Sequence, residues 1–287
     1  MAVAAVLGLA VAPVAGASGQ GGAPAGYVAL GDSYASGPLI PGQLPDPVAC
    51  LRSDHNYPHL VAAALGLQLT DESCSGATTA AVESPETVVG GTNPAQIDGL
   101  NDATAVVTVT LGGDNLGFVS LIEHCLALSP LGPTRVGRTC RSHYDGAGGD
   151  QLAQAVAALA PKDDAVLQAI RAAAPSAKVF VVGYPDLLPS GTGCWPTVPF
   201  TRADVPYLRA TELELDQMLR AEAEANHDVY VDTYTASEGH GACAPASSRW
   251  IEPLVPHSLA APFHPNATGE AALAGLVDQA MRADGVR

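Results

Sequence analysis

Two periods of apolar residues alternate along this chain. Short runs at 27–32, 67–73, 103–113, 177–185 and 228–234 read as strands. The run "ATAVVTVTLGG" (103–113) is the strongest signal. It is nearly continuous and β-branched, which suits a central parallel strand covered on both faces. Between these runs the apolar spacing lengthens to that of helices. The segment 56–66 carries this spacing and stops at Gly66. Residues 150–175 read as one or two helices, with Pro161 as break or kink. Residues 204–226 form a long amphipathic pattern, and 267–283 a last helix capped near Asn266 or Thr268. Strands alternating with helices predict a three-layer α/β/α fold around a mostly parallel five-stranded sheet, in one domain over residues 26–287. Two loop-rich insertions, 127–149 and 187–201, stand out. Loops at the carboxyl ends of parallel strands are where open sheets place their sites.

Composition narrows the partners. Of 287 residues, 47% are hydrophobic and 15% charged, enough for a buried core and contrary to disorder. The net charge of −16 repels nucleic-acid phosphates and anionic bilayers at long range, so neutral or small ligands are expected and nucleic acid is not. Residues 1–17 are small and apolar, and Ala15-Gly16-Ala17 has the form of a signal-peptidase site. No Lys or Arg precedes Arg52, so the usual positive start is missing. Two readings stand: an N-terminal helix of the fold, or a cleaved export signal. Pro13 and the glycine-rich stretch after it favour the second. The expectation is a signal peptide and leader over 1–25, secretion, no stable membrane insertion and a monomer.

Secretion makes disulfides the expected state of Cys50, Cys74, Cys125, Cys140, Cys194 and Cys243. Sequence does not choose among the pairings, and the sequential one is simplest: Cys50–Cys74, Cys125–Cys140 and Cys194–Cys243. No cysteine or histidine cluster has metal-ligand spacing, so no metal and no other cofactor is expected.

Candidate chemistry begins at "YVALGDSYASG". A strand ends there on Gly31-Asp32-Ser33. A serine hydroxyl is a weak nucleophile at neutral pH, and it needs a base and donors for the oxyanion it creates. Most of the eight histidines sit in ordinary surface contexts. His264 differs, because Pro262 and Pro265 stiffen the loop that carries it into the last helix. Asp32 neighbours Ser33 and is read as structural.

Four segments, "GDSYASG", "SCSGATT", "VTLGGDNLGF" and "HPNATG", stand in this order, together with the six cysteines. In this the chain resembles the SGNH, or GDSL, hydrolases, and within them the secreted actinobacterial lipases and esterases. The resemblance implies a flavodoxin-like fold. It also implies Ser33 as nucleophile, His264 as general base and then acid, and an oxyanion hole from the N–H groups of Ser33 and Gly76 with an Asn side chain. A side chain at position 76 could block the approach of a carbonyl oxygen. Two departures stand out. The family's Gly-Gly-Asn-Asp is here Gly112-Gly113-Asp114-Asn115, so either Asn115 donates or Asp114 does so when protonated; Asn115 is favoured. The aspartate that often precedes the histidine by three residues is here Ala261. A Ser–His dyad is expected, with a carbonyl of Ala261 or Pro262 orienting His264. Asp232 or Glu252 reaching the ring is the alternative.

The implied activity is carboxylic-ester hydrolysis through an acyl-enzyme, on lipids, phospholipids or simple acyl esters. Leu116, Phe118, Trp195, Val198 and Phe200 are candidates to line an acyl groove. A carbohydrate acetylesterase is the alternative within enzymes. A catalytically inactive glycan- or lipid-binding protein on the same fold is the alternative outside them, motivated by Asp114.

Overall fold

The structure is a computed structural model that describes residue 1 and residues 25–45, 47–128, 132 and 139–287. Most of the leader and part of the first insertion lie outside the described residues. Five strands form the central sheet: β1 (Gly26–Gly31), β2 (Gln68–Asp71), β3 (Thr104–Thr110), β4 (Lys178–Val182) and β5 (Val229–Val231). Their order is β2-β1-β3-β4-β5 and every pairing is parallel. Four lie inside the runs expected as strands, and β1 begins one residue before the run expected at 27–32.

The alternation of side chains across a strand sorts the core into two layers. Val28 and Leu30 of β1, Val107 and Val109 of β3, and Val179 and Val181 of β4 face one way. They meet helices α4 (Gln151–Ala173) and α5 (Asp204–Ala225) through Leu159, Ile170, Leu215 and Leu219. Tyr27, Ala29, Val106, Phe180 and Val182 face the other way. There they meet α2 (Tyr57–Leu65) and α6 (Ala267–Ala283) through Val61, Leu273, Val277 and Met281. Each such aliphatic or aromatic side chain, fully buried, contributes about 1.5–3 kcal/mol. A sheet covered on both faces explains why β3 is apolar at consecutive positions rather than at alternate ones.

Pro161 lies inside α4 and does not end it. It has no N–H to give the preceding turn, but Leu159, Val166, Leu167 and Ile170 on either side of it stay buried, and that packing carries the helix through. Asn266 is the cap of α6, accepting from the N–H groups of Thr268 and Gly269 at 3.0 Å each. A helix over Phe118–Leu128, α3, was not expected. The disulfides pair sequentially: Cys50–Cys74, Cys125–Cys140 and Cys194–Cys243.

The strand order reverses direction between β1 and β3. In sheets of this order the crevice at the carboxyl ends of those two strands is where ligands bind. Ser33, just after β1, and Gly113-Asp114, just after β3, therefore sit on either side of the switch point.

Candidate active site

Beyond β1 the chain turns directly into the single helical turn α1 (Ser33–Ser36). Asp32 caps it: its Oδ1 accepts the N–H of Tyr34 at 2.9 Å. Its other oxygen accepts from the hydroxyl of Tyr184, which in turn accepts the N–H of Gly113 at 2.8 Å. Asp32 thus has the structural role expected of it, and more: through Tyr184 it links the turn after β1 to the turn after β3.

His264 lies 2.7 Å from Ser33, Nε2 to Oγ. Its Nδ1 lies 2.7 Å from the carbonyl oxygen of Pro262. A carbonyl only accepts, so Nδ1 carries the proton and Nε2 turns its lone pair toward the Ser33 hydroxyl. The carbonyl belongs to Pro262 and not to Ala261. The Ala261 carbonyl instead accepts the backbone N–H of His264 at 3.2 Å. The reason is Phe263, whose φ of 59° turns the chain so that the imidazole folds back over Pro262. Burial lowers the His264 pKa, with the Pro262 hydrogen bond opposing it, so the ring is a neutral base at pH 7.

Neither carboxylate suggested as an alternative reaches the ring. Asp232 caps the turn at Thr235 and pairs with Arg220 at 2.7 Å. Glu252 is buried and fully engaged. It accepts from Asn266 Nδ2 at 2.7 Å and from the backbone N–H of His257 at 2.7 Å, while its own N–H donates to the His264 carbonyl. Glu252 therefore braces the histidine loop and leaves the ring alone. Tyr34 grips the same loop from the serine side: its hydroxyl donates to the Phe263 carbonyl at 2.7 Å, and its ring centroid is 5.0 Å from that of His264.

Two backbone donors are open. The N–H groups of Ser33 and Gly76 have no acceptor among the described residues. Gly76 has a φ of 90°, and a Cβ there would meet no atom within 4 Å. The backbone conformation, and not a clash with neighbours, is what selects glycine. The loop that carries it is fixed by the Cys50–Cys74 bridge and by Ser75 N–H donating to the Cys50 carbonyl at 3.0 Å.

Asn115 does not face the cleft. Its amide is spent on Thr79: Oδ1 accepts the Thr79 N–H and Nδ2 donates to Oγ1, both at 2.9 Å. Asp114 is the member of the pair that lines the cleft, with Ser33 and His264.

That cleft is largely apolar. Leu116, Phe118 and Phe200 line it as expected, joined by Val119, Leu121 and Ile122 of α3 and by Leu187, Leu208 and Leu215. Trp195 and Val198 do not line it; Val198 is wholly buried in the core. The α3 residues went unread in the sequence, although "FVSLIEHC" carries apolar residues at 118, 121, 122 and 125 with helical spacing. Among the described residues no group of three or more His, Cys, Asp or Glu side chains is placed to hold a metal ion, and no helix is long and apolar enough to cross a membrane.

Comparison with known proteins agrees with this geometry. Residues 29–272 match the model of the GDSL-like Lipase/Acylhydrolase family. The chain is 39% identical over 272 residues to Lipase 2 of Streptomyces coelicolor, covering 93% of this chain and 90% of that one. The crystal structure of phospholipase A1 from Streptomyces albidoflavus superposes with a TM-score of 0.73 at 26% identity, covering 90% of this chain and 99% of that one. The extracellular lipase of Streptomyces rimosus superposes with a TM-score of 0.70, also at 26% identity, covering 88% and 98%. A parallel five-stranded sheet with a serine–histidine pair at its switch point, matched over most of its length by such proteins, places the chain in the GDSL-like lipase/acylhydrolase family, as a carboxylic ester hydrolase.

Proposed function

We propose that this chain is a secreted lipase or esterase that cleaves acyl esters with a Ser33–His264 dyad, in a single hydrolase domain over residues 26–287 behind a signal peptide. The observation that carries the reading is the line of two 2.7 Å hydrogen bonds from Ser33 through His264 to Pro262, beside an apolar cleft. Ser33 Oγ attacks the ester carbonyl while Nε2 takes its proton. The C=O electron pair moves onto oxygen, where the N–H groups of Ser33 and Gly76 receive it. His264 then gives the proton to the departing alkoxide, and water repeats the cycle on the acyl-serine. The Pro262 carbonyl steadies the imidazolium as a dipole, where a triad would use a full charge.

An acetyl group needs little of the cleft, whose apolar walls run from Leu116 to Leu208 and suit a longer chain. The test is a rate series on p-nitrophenyl esters. The octanoate is expected to exceed the acetate in kcat/KM by about tenfold or more, each methylene in an apolar pocket being worth up to about 0.8 kcal/mol. Ser33→Ala is expected to remove the activity. Hydrolysis that survives Ser33→Ala would end this reading, and a preference for acetate would favour the acetylesterase.

The bridge beside Gly76 gives a second expectation. Cys50→Ser with Cys74→Ser is expected to lose about 2–4 kcal/mol of stability. It should also lower kcat more than it raises KM, because Gly76 meets the substrate oxygen only as charge develops. Thermal melts and steady-state kinetics on the double variant check both.

A further inference from the structure

Asp114 is an acidic side chain in a place where negative charge must form. The turn that carries it is tied to the turn after β1 by bonds already described: Asp32 accepts from Tyr184, and Tyr184 accepts the N–H of Gly113, the residue before Asp114. Among the described residues its carboxyl takes part in no hydrogen bond and no ion pair. Yet it lines the cleft with Ser33 and His264. Among the described residues, the groups around it offer no compensating cation. Glu86 faces it from the hairpin Glu86–Asn93, and Asp32, Tyr34 and Tyr184 sense its charge from the turns after β1 and β4. From α4, which packs on this turn, the carboxyl of Asp163 approaches Gly112. On α3, Glu123 is exposed and the His124 ring lies 4.5 Å from that of His143, tilted by 40°. Glu212 of α5 and neutral His264 complete the cleft.

An ionised carboxylate here would oppose the oxyanion; a neutral carboxyl has one O–H to give it. We infer that Asp114 is a catalytic residue of this enzyme in its protonated form, donating its O–H to the ester oxygen as charge develops there, so that the enzyme works best on the acid side of neutrality. The inference rests on the ester-hydrolase reading of this cleft. No proton is transferred by Asp114. The Ser33 proton goes to His264, the carbonyl electron pair goes to oxygen, and Asp114 supplies a third hydrogen bond alongside the two N–H groups.

The environment keeps that proton in the useful range. Burial, with Glu86 adding to it, raises the Asp114 pKa to about 6. Below that value the donor is present; above it the neutral fraction falls about tenfold per pH unit, to about 1% at pH 8. His264 sets the opposite limit. Its lowered pKa keeps it a base below pH 6.5, so both groups are in the required state in mildly acid solution.

The pH dependence of kcat/KM for p-nitrophenyl butyrate tests this on the wild type and on Asp114→Asn, whose amide donates at every pH. The wild-type rate is expected to fall from pH 6 to pH 8, by about 30- to 50-fold, toward the floor that two donors sustain. Asp114→Asn should hold its rate across that range and exceed the wild type at pH 8 by a similar factor. Asp114→Ala should be slow throughout, without the falling limb. A wild-type rate that is flat or rises from pH 6 to pH 8 would overturn the inference. So would Asp114→Asn keeping the fall, or running slower than the wild type at pH 8. The wild-type profile decides even where a variant does not fold. Activity that survives Ser33→Ala marks failure of the ester-hydrolase reading instead, a result separate from any of these.

Discussion

His264→Ala is expected to lower kcat by about 10,000-fold or more, with KM changed far less. In the proposed cycle the imidazole makes both proton transfers, so nothing else in the cleft takes over when it goes. Ser33 would then attack with its proton still in place, and the alkoxide would leave unprotonated. Ten-thousand-fold is about 5.4 kcal/mol of barrier, a size ordinary for removing one member of a nucleophile–base unit. His264→Gln makes a sharper control. It can keep a hydrogen bond to Ser33 yet cannot accept and return a proton, and it should be as slow as the alanine. Steady-state kinetics at pH 6 checks the pair. A loss smaller than about tenfold in both would remove His264 from the mechanism.

Thermal stability is expected to be highest near pH 5 and to fall as the pH rises to 8. Asp163 and Asp216 are buried carboxyls, 5% and 3% exposed. Burial raises both to about 8, helped by Glu222 beside Asp163 and by Asp232 near Asp216. The folded state therefore holds protons that the unfolded chain, ionising near 4, releases. Such a group contributes stability that is complete below about pH 4 and is lost as the pH climbs through about 8. Glu252 works in the opposite sense. Burial raises its pKa, but the hydrogen bonds from Asn266, His257 and Ser258 outweigh that and leave it below the usual range. Its contribution is present above the unfolded value and is lost as the pH falls through its lowered folded value. The two senses together put the optimum in mild acid. For each of the first pair we expect a loss on the order of 3 kcal/mol between pH 5 and pH 8, or about 6–12 °C in Tm per group. Asp163→Asn should flatten the slope, and a Tm that does not move over this range would contradict the assignment.

The fold was legible because side-chain alternation and helical spacing act locally, residue by residue. Even so, α3 was missed: its apolar spacing begins within one residue of Gly117 and runs into an insertion that reads as loop. Ser33, Gly76 and His264 were legible as candidates, and the structure brings Ser33 and His264 within 2.7 Å of each other. The Pro262 carbonyl was not separable from Ala261, because the choice depends on the positive φ of Phe263, which a non-glycine residue does not announce. Asp114 and Asn115 could not be told apart for a related reason. They are consecutive in a tight 3₁₀ turn, where neighbours point about 120° apart, so only one can face the cleft. Which one does so depends on Thr79, whose two hydrogen bonds to Asn115 come from a loop 36 residues away.

The Cys50–Cys74 bridge also gives the enzyme an order of events. Ser33 and His264 are held together by packing and hydrogen bonds, with no disulfide between their loops. Gly76 is different, because its loop is pinned by a covalent bond that only oxidation makes. A chain that has folded but not yet been oxidised would carry a nucleophile and a base without a settled place for the charge they create. On the proposed reading, hydrolytic strength would then arrive last, with the oxidation that closes the bridge.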